Sequence, residues 1–171
     1  MTEDNKITQH FRVGIITASD RCAAGKREDR SGALIRERMD AVGGEVIAVQ
    51  VLPDDRDILA EAMRSMADTL KADLILTTGG TGLSPRDVTP EATLDIAERM
   101  VPGISETMRA QSLRFTQHAM LTRGVSCIRG RTLIINLPGN PKAVGECLDI
   151  FLPVLEHALE VIRDQARHES H

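Results

Sequence analysis

The apolar positions of the chain fall into short blocks that alternate between two periods. Phe11 to Ala18, FRVGIITA, is a largely apolar run rich in β-branched residues, which predicts a buried strand. A polar loop, SDRCAAGKREDRSG, follows. Leu34, Ile35, Met39 and Val42 then recur at helical spacing, predicting a helix over about Gly32 to Val42, with Ser31 as its cap and Gly43-Gly44 as its stop. Glu45 to Leu52, EVIAVQVL, reads as a second strand. Pro53-Asp54-Asp55 ends it and opens a helix whose apolar face is Ile58, Leu59, Ala62, Met63, Met66 and Leu70. Asp73 to Thr78, DLILTT, is a third strand that runs straight into Gly79-Gly80-Thr81-Gly82. Helical stretches are predicted over Thr89 to Met100 and Ile104 to Phe115. Strands follow over Val125 to Arg129 and Thr132 to Leu137, joined by a tight turn at Gly130. After Pro138-Gly139-Asn140-Pro141 a long helix runs to about Arg167, with a bend expected near Pro153.

Strands alternating with helices predict an α/β fold: a single three-layer domain whose sheet is largely parallel, with helices on both faces. The 171 residues suffice for one domain with a sizeable core, expected over residues 11–165 between flexible ends at 1–10 and 166–171. In open sheets of this kind, ligands bind beyond the carboxyl ends of the strands. Here the first three strands and the last deliver SDR, PDD, GGTG and PGNP to such ends.

Composition narrows the picture. Hydrophobic residues make up 42% of the chain but aromatics only 2%, so the core must be aliphatic and base stacking on single-stranded nucleic acid is disfavoured. A net charge of −4 gives no basic surface for a duplex, so no nucleic-acid partner is expected. The N-terminus carries no apolar run of signal-peptide type, and no stretch is apolar enough to span a membrane. Cys127 and Cys147 read as buried thiols and Cys22 as a loop residue. The three form no CxxC, which fits a reducing cytoplasm. His10, His118, His157, His168 and His171 are scattered, without HExxH or Cys/His pairing, so a zinc site is not expected. There is no GxSxG elbow. Met63, Met66 and Met108 read as core residues.

The strongest chemical signal is TTGGTGLSPRDVTPEAT, Thr77 to Thr93. Gly79, Gly80 and Gly82, with Thr81 between them, let backbone amides approach an anion without a Cβ in the way; Ser84 lies just beyond. The segment is neither a P-loop, since no GK[ST] follows, nor a GxGxxG fingerprint, and a tight strand-to-loop turn is the competing explanation. Asp54 and Asp87 are the candidate catalytic and Mg²⁺-facing carboxylates, because Mg²⁺ takes one or two carboxylates plus substrate phosphates. Each is also a candidate helix cap. Ser19, Asp20 and Arg21, with Arg30 and Ser31, flank the first loop; arginine grips phosphate with two parallel hydrogen bonds, and a helix N-terminus adds backbone donors. A solvated, charged loop is the alternative, and the preferred one for Lys26 and Arg27. Pro138, Gly139 and Asn140 read either as backbone donors at the start of the last helix or as a rigid turn.

Taken together, SDR (19–21), DRSG (29–32), LPDD (52–55), the glycine segment, VPGISETMR (101–109) and RTLIINLPGNPKAV (131–144) resemble the molybdopterin-binding family of molybdenum cofactor biosynthesis, over about Phe11 to Arg163. The resemblance implies small-molecule substrates, with adenylylation of molybdopterin by MgATP and release of pyrophosphate. It further implies a homotrimer and contact with a molybdenum-insertion protein. It also implies functional importance for Asp54 and Asp87, and a pterin and nucleotide site lined by the glycine loop and PGNP. A non-catalytic molybdopterin carrier of the same family is the competing function.

Overall fold

The computed structural model describes residues 7–168, and the flexibility expected of the extreme ends falls at 1–6 and 169–171 outside the described residues. Strand β1 (Phe11–Ala18) lies inside the sheet, as its apolar run requires: every residue except Arg12 is buried. It pairs in parallel with β2 (Gly44–Leu52) on one side and with β3 (Leu74–Thr78) on the other. Strand β6 (Thr132–Leu137) continues the parallel set beyond β3. Two antiparallel strands, β5 (Ser126–Arg129) and β4 (Arg99–Met100), complete a six-stranded sheet of order β2-β1-β3-β6-β5-β4.

The period of two along each inner strand splits the interior into two cores. In β3, Leu74 and Leu76 join one cluster and Ile75 the other; in β6, Leu133 and Ile135 oppose Ile134 in the same way. The first core is covered by α2 (Arg30–Ala41), α5 (Pro102–Ser112) and α6 (Pro141–His168), through Ile35, Met39, Met108, Val144, Leu148 and Leu152. The second is covered by α3 (Arg56–Asp68) and α4 (Thr89–Ile96), through Leu59, Met63, Met66, Ala92 and Ile96. Each of the Leu, Ile, Val and Met side chains contributes about 1.5–3 kcal/mol of burial, so an aliphatic core replaces the missing aromatics. Gly14 marks the tightest approach of α3, since a Cβ there would lie 2.6 Å from Met66 Sδ.

Several boundaries differ from expectation for local physical reasons. Helix α2 begins at Arg30, two residues early, because Asp29 and not Ser31 caps it, accepting from Gly32 N at 2.9 Å. Gly43 ends it at φ +92. The helix expected to reach Met100 stops at Ile96, where Ala97 turns extended. Glu98 N then donates to Ile128 O at 3.0 Å and Val101 N to Ser126 O at 2.8 Å, so the open edge of β5 captures Arg99–Met100 between them as β4. Pro102 enforces this, since a residue before proline avoids the helical region, and it sits in the first turn of α5. Residues 20–23, expected as loop, form the short helix α1 (Asp20–Ala23), which carries Cys22. Ile58 on α3 stays exposed at 44% and Leu70, expected on the same helix, falls beyond its end and is exposed at 37%; Ala60 and Ala67 take the inward positions. Helix α6 runs unbroken through Pro153. The buried states of Cys127, Cys147, Met63, Met66 and Met108 agree with expectation.

Candidate functional site

The parallel strands β1, β2, β3 and β6 end on one edge of the sheet, and a cleft of about 750 Å³ opens there. Its floor is the glycine loop. Gly79 has φ +86 and lies so close to β1 that a Cβ would stand 2.3 Å from Ala18 O. Gly80 has φ +67, and a Cβ there would stand 2.3 Å from Thr89 Oγ1. Both positions exclude a side chain, by left-handed backbone and by contact. Thr89 closes the turn from outside: its Oγ1 donates to Gly79 O at 2.9 Å and its N to Gly80 O at 3.1 Å. A polar network in the core supports it, with Thr93 Oγ1 donating to Thr89 O at 2.8 Å and Asn136 Nδ2 donating to Thr93 Oγ1 at 3.0 Å and Thr77 Oγ1 at 2.9 Å.

The ends of β1 and β2 are stitched by two aspartates. Asp20 N donates to Asp54 Oδ2 and Asp54 N donates to Asp20 Oδ1, both at 3.0 Å. Asp20 also receives Arg86 Nε at 3.0 Å and Nη2 at 2.9 Å, a two-pronged pair that ties the loop after β1 to the loop after β3. That pair holds the Asp20 carboxyl below its ordinary range. Asp54 behaves oppositely. Burial, with the neighbouring charges of Asp20 and Asp87, pushes its carboxyl above the ordinary value, and its Oδ1 is buried without a hydrogen-bond partner among the described residues.

Neither candidate carboxylate caps a helix. Asp55 is the cap of α3, accepting from Ile58 N at 3.0 Å, which leaves Asp54 turned to the cleft. Helix α4 starts at Val88 without a side-chain cap, and Asp87 Oδ2 instead accepts from Ser84 N at 3.0 Å within a tight turn. Gly82 gives that carboxylate room, since a Cβ there would meet Asp87 Oδ2 at 2.8 Å.

On the opposite wall, Ser31 Oγ donates to Gly139 O at 2.7 Å, joining the start of α2 to the loop after β6. Asn140 Oδ1 accepts from Lys142 N at 2.9 Å, so the PGNP segment is a turn that caps α6 and also borders the cleft. The cleft therefore brings together Ser19, Arg30, Ser31, Asp54, Gly79, Gly80, Asp87, Gly139 and Asn140. Asp20, Thr81, Gly82 and Ser84 shape its loops without lining it, and Arg21 is exposed on α1 outside the lining. Pro138 lines a second, more apolar hollow of about 420 Å³ beyond Asn140. Sequence reasoning missed Thr17 as a wall residue, left Arg27 to a solvated loop, and placed Asp29 in the DRSG segment without giving it a role. Asp29 carried a signal, as an acidic residue three positions before Gly32, but Ser31 competed for the cap.

The glycines separate two roles, and substitution should reveal them. Gly80→Val is expected to destabilise the fold by about 2–4 kcal/mol, since the left-handed backbone is strained and the Cβ clashes with the buried Thr89 side chain. Gly139 lacks that constraint; a Cβ there meets only Gly79, its Cα at 3.5 Å. Gly139→Val should keep stability within about 0.5 kcal/mol while weakening ligand binding about tenfold or more. Denaturant unfolding and ligand titration of both variants check this.

Among the described residues no helix is long and apolar enough to cross a membrane. The family model for a probable molybdopterin binding domain matches residues 14–157. A molybdopterin adenylyltransferase of Helicobacter pylori strain J99 is 38% identical over 156 residues, covering 90% of this chain and 89% of that protein. The molybdopterin biosynthesis enzyme MoaB of Thermus thermophilus is 50% identical, with a TM-score of 0.84 over 89% of this chain and 96% of that one. The molybdopterin biosynthesis Mog protein of Mycobacterium ulcerans is 37% identical, with a TM-score of 0.85 over 89% and 99%. The family model, the relative's sequence and the shared fold each span most of the chain, and the chain belongs to the molybdopterin-binding-domain family of molybdenum cofactor biosynthesis.

Proposed function

We propose that the protein is a molybdopterin adenylyltransferase, which transfers the adenylyl group of MgATP to molybdopterin and releases pyrophosphate. The observation that carries this reading is the pair Asp54 and Asp87. They come from successive strand ends, cap no helix and face one cleft, and Asp54 Oδ1 lacks a partner among the described residues. Burying an unpaired carboxylate oxygen is costly, and such a group persists where a cation or ligand completes it. The described residues contain no cluster of three metal-binding side chains, and Mg²⁺ needs none beyond one or two carboxylates, substrate phosphates and water. Asp54 and Asp87 thus fit as its protein ligands. When bound, Mg²⁺ supplies charge neutralisation for the triphosphate and the departing pyrophosphate.

The chain's own residues bind and orient. A phosphate oxygen of the pterin attacks the α-phosphorus of ATP as the bond to pyrophosphate breaks, so no side-chain nucleophile is required. Arg30, Ser31 and the N-terminus of α2 oppose negative charge on one wall, with Ser19 beside them. The turn held by Gly79 and Gly80 forms the floor, the bare backbone at Gly139 admits the phosphorylated substrates closely, and Asn140 borders them. Arg86 stands at the rim, paired to Asp20. Such positioning and charge stabilisation account for most of the catalysis of phosphoryl-type transfer.

We place the enzyme in the cytoplasm as a homotrimer that passes its product to a molybdenum-insertion protein. Family membership supports this, as do the large apolar side chains of Phe115, Met120 and Leu121, exposed at 55%, 62% and 46%, which a second copy would cover. The experiment is a pyrophosphate assay with MgATP alone and with molybdopterin added. Release only when both are present supports the enzyme. Binding of molybdopterin with no pyrophosphate identifies a carrier, and ATP binding indifferent to the pterin identifies a nucleotide sensor.

A further inference from the structure

Arg123 lies outside the cleft and forms none of its walls, yet it holds both ends of the loop that carries Asp87. Its Nε donates to Gly82 O at 2.8 Å and its Nη2 to Asp87 O at 2.7 Å. Its Nη1 pairs with the Glu91 carboxylate in the first turn of α4, and this holds Glu91 below its ordinary range. Its own backbone N donates to Thr81 O at 2.8 Å. Between these anchors the loop protrudes: Leu83, Ser84, Pro85 and Arg86 are exposed, and the Ser84–Asp87 turn is its internal closure. Arg123 is held in turn, because Arg109 of α5 donates to Gly124 O at 2.9 Å just beyond it.

We propose that Arg123 is a positioning residue for adenylyl transfer, fixing the Asp87 carboxylate at the cleft by clamping the carbonyls at the entry and exit of its loop. This rests on the role of Asp87 in the proposed reaction. A planar guanidinium presents donors in a fixed fork and reaches two carbonyls and a carboxylate at once; a lysine ammonium is a point charge without that fork. Leu83, the large apolar side chain of the loop, is 64% exposed, so losing the clamp lets the loop open locally while the cores stay folded.

The test uses Arg123→Lys, with Glu91→Gln as a milder second variant that keeps the two carbonyl bonds. Turnover, molybdopterin binding, melting temperature and amide exchange at residues 82–88 are read together. Arg123→Lys should lose about 10–100-fold in kcat with molybdopterin binding unchanged, because a misplacement of about 1 Å costs that much. Exchange should accelerate at residues 82–88 and not in the sheet, and Glu91→Gln should show the same pattern more weakly. In an Asp87→Asn background, Arg123→Lys should cost little further turnover. Wild-type kcat and exchange in Arg123→Lys would overturn the proposal, as would losses fully additive with Asp87→Asn. If the parent forms no adenylylated product, the reading of its function fails instead. The exchange at 82–88 then still decides whether Arg123 is the clamp.

Discussion

Asp87→Asn should lose about 100-fold or more of adenylyl transfer while melting within about 2 °C of the parent. The substitution changes charge with little change in volume. The folding role of the carboxylate is narrow: Oδ2 accepts from Ser84 N at 3.0 Å, and an asparagine oxygen can accept the same bond. No helix loses a cap, because α4 begins without a side-chain one. The missing negative charge therefore registers in the chemistry and not in the fold. Turnover and thermal unfolding on the same preparation check it, and a fully active variant would remove Asp87 from the mechanism.

Asp54→Asn should separate stability from activity more sharply. Burial and the charges of Asp20 and Asp87 raise the Asp54 carboxyl above its ordinary value of 3.8. The folded protein thus holds this proton more tightly than the unfolded chain, so stability falls as pH rises from 3.8 toward the raised value, and at neutral pH the penalty is fully present. Asparagine removes it while offering an oxygen to Asp20 N. In Mg²⁺-free solution the variant should be at least as stable as the parent at pH 7, and the difference should close below pH 3.8. Activity should fall by about 100-fold, chiefly through poor use of MgATP. Combined with Asp87→Asn the activity losses should be far from additive, since two groups serving one ion act as a unit. Strictly additive losses, unresponsive to Mg²⁺, would show that the two aspartates serve separate contacts.

The inner parallel strands and the order of elements were legible in the sequence because burial on both faces leaves near-continuous apolar runs, as in LILTT. The candidate site was legible for the same reason. A parallel sheet sends successive strand ends to one edge, so SDR, PDD, GGTG and PGNP had to meet. What escaped was set by partners distant in the chain. Residues 97–100 have helix-compatible side chains, and only the open edge of β5 makes Arg99–Met100 a strand. Asp29 and Ser31 both suit a cap; Gly139, more than 100 residues away, recruits Ser31 and leaves the cap to Asp29. Asp54 and Asp55 are equivalent on paper until the Asp20 amide takes one of them. Arg123 sits in an unpatterned stretch, and its partners are mostly carbonyls, which leave no trace in residue identity.

ATP labelled in its α-phosphate shows whether this cleft moves an adenylyl group between two phosphorylated substrates. With Mg²⁺ and molybdopterin present, the label should appear in the pterin product in one-to-one proportion with unlabelled pyrophosphate, and its rate of appearance should fall about 100-fold or more in Asp87→Asn. Label remaining in ATP, or appearing as free AMP beside bound but unchanged molybdopterin, would contradict the account.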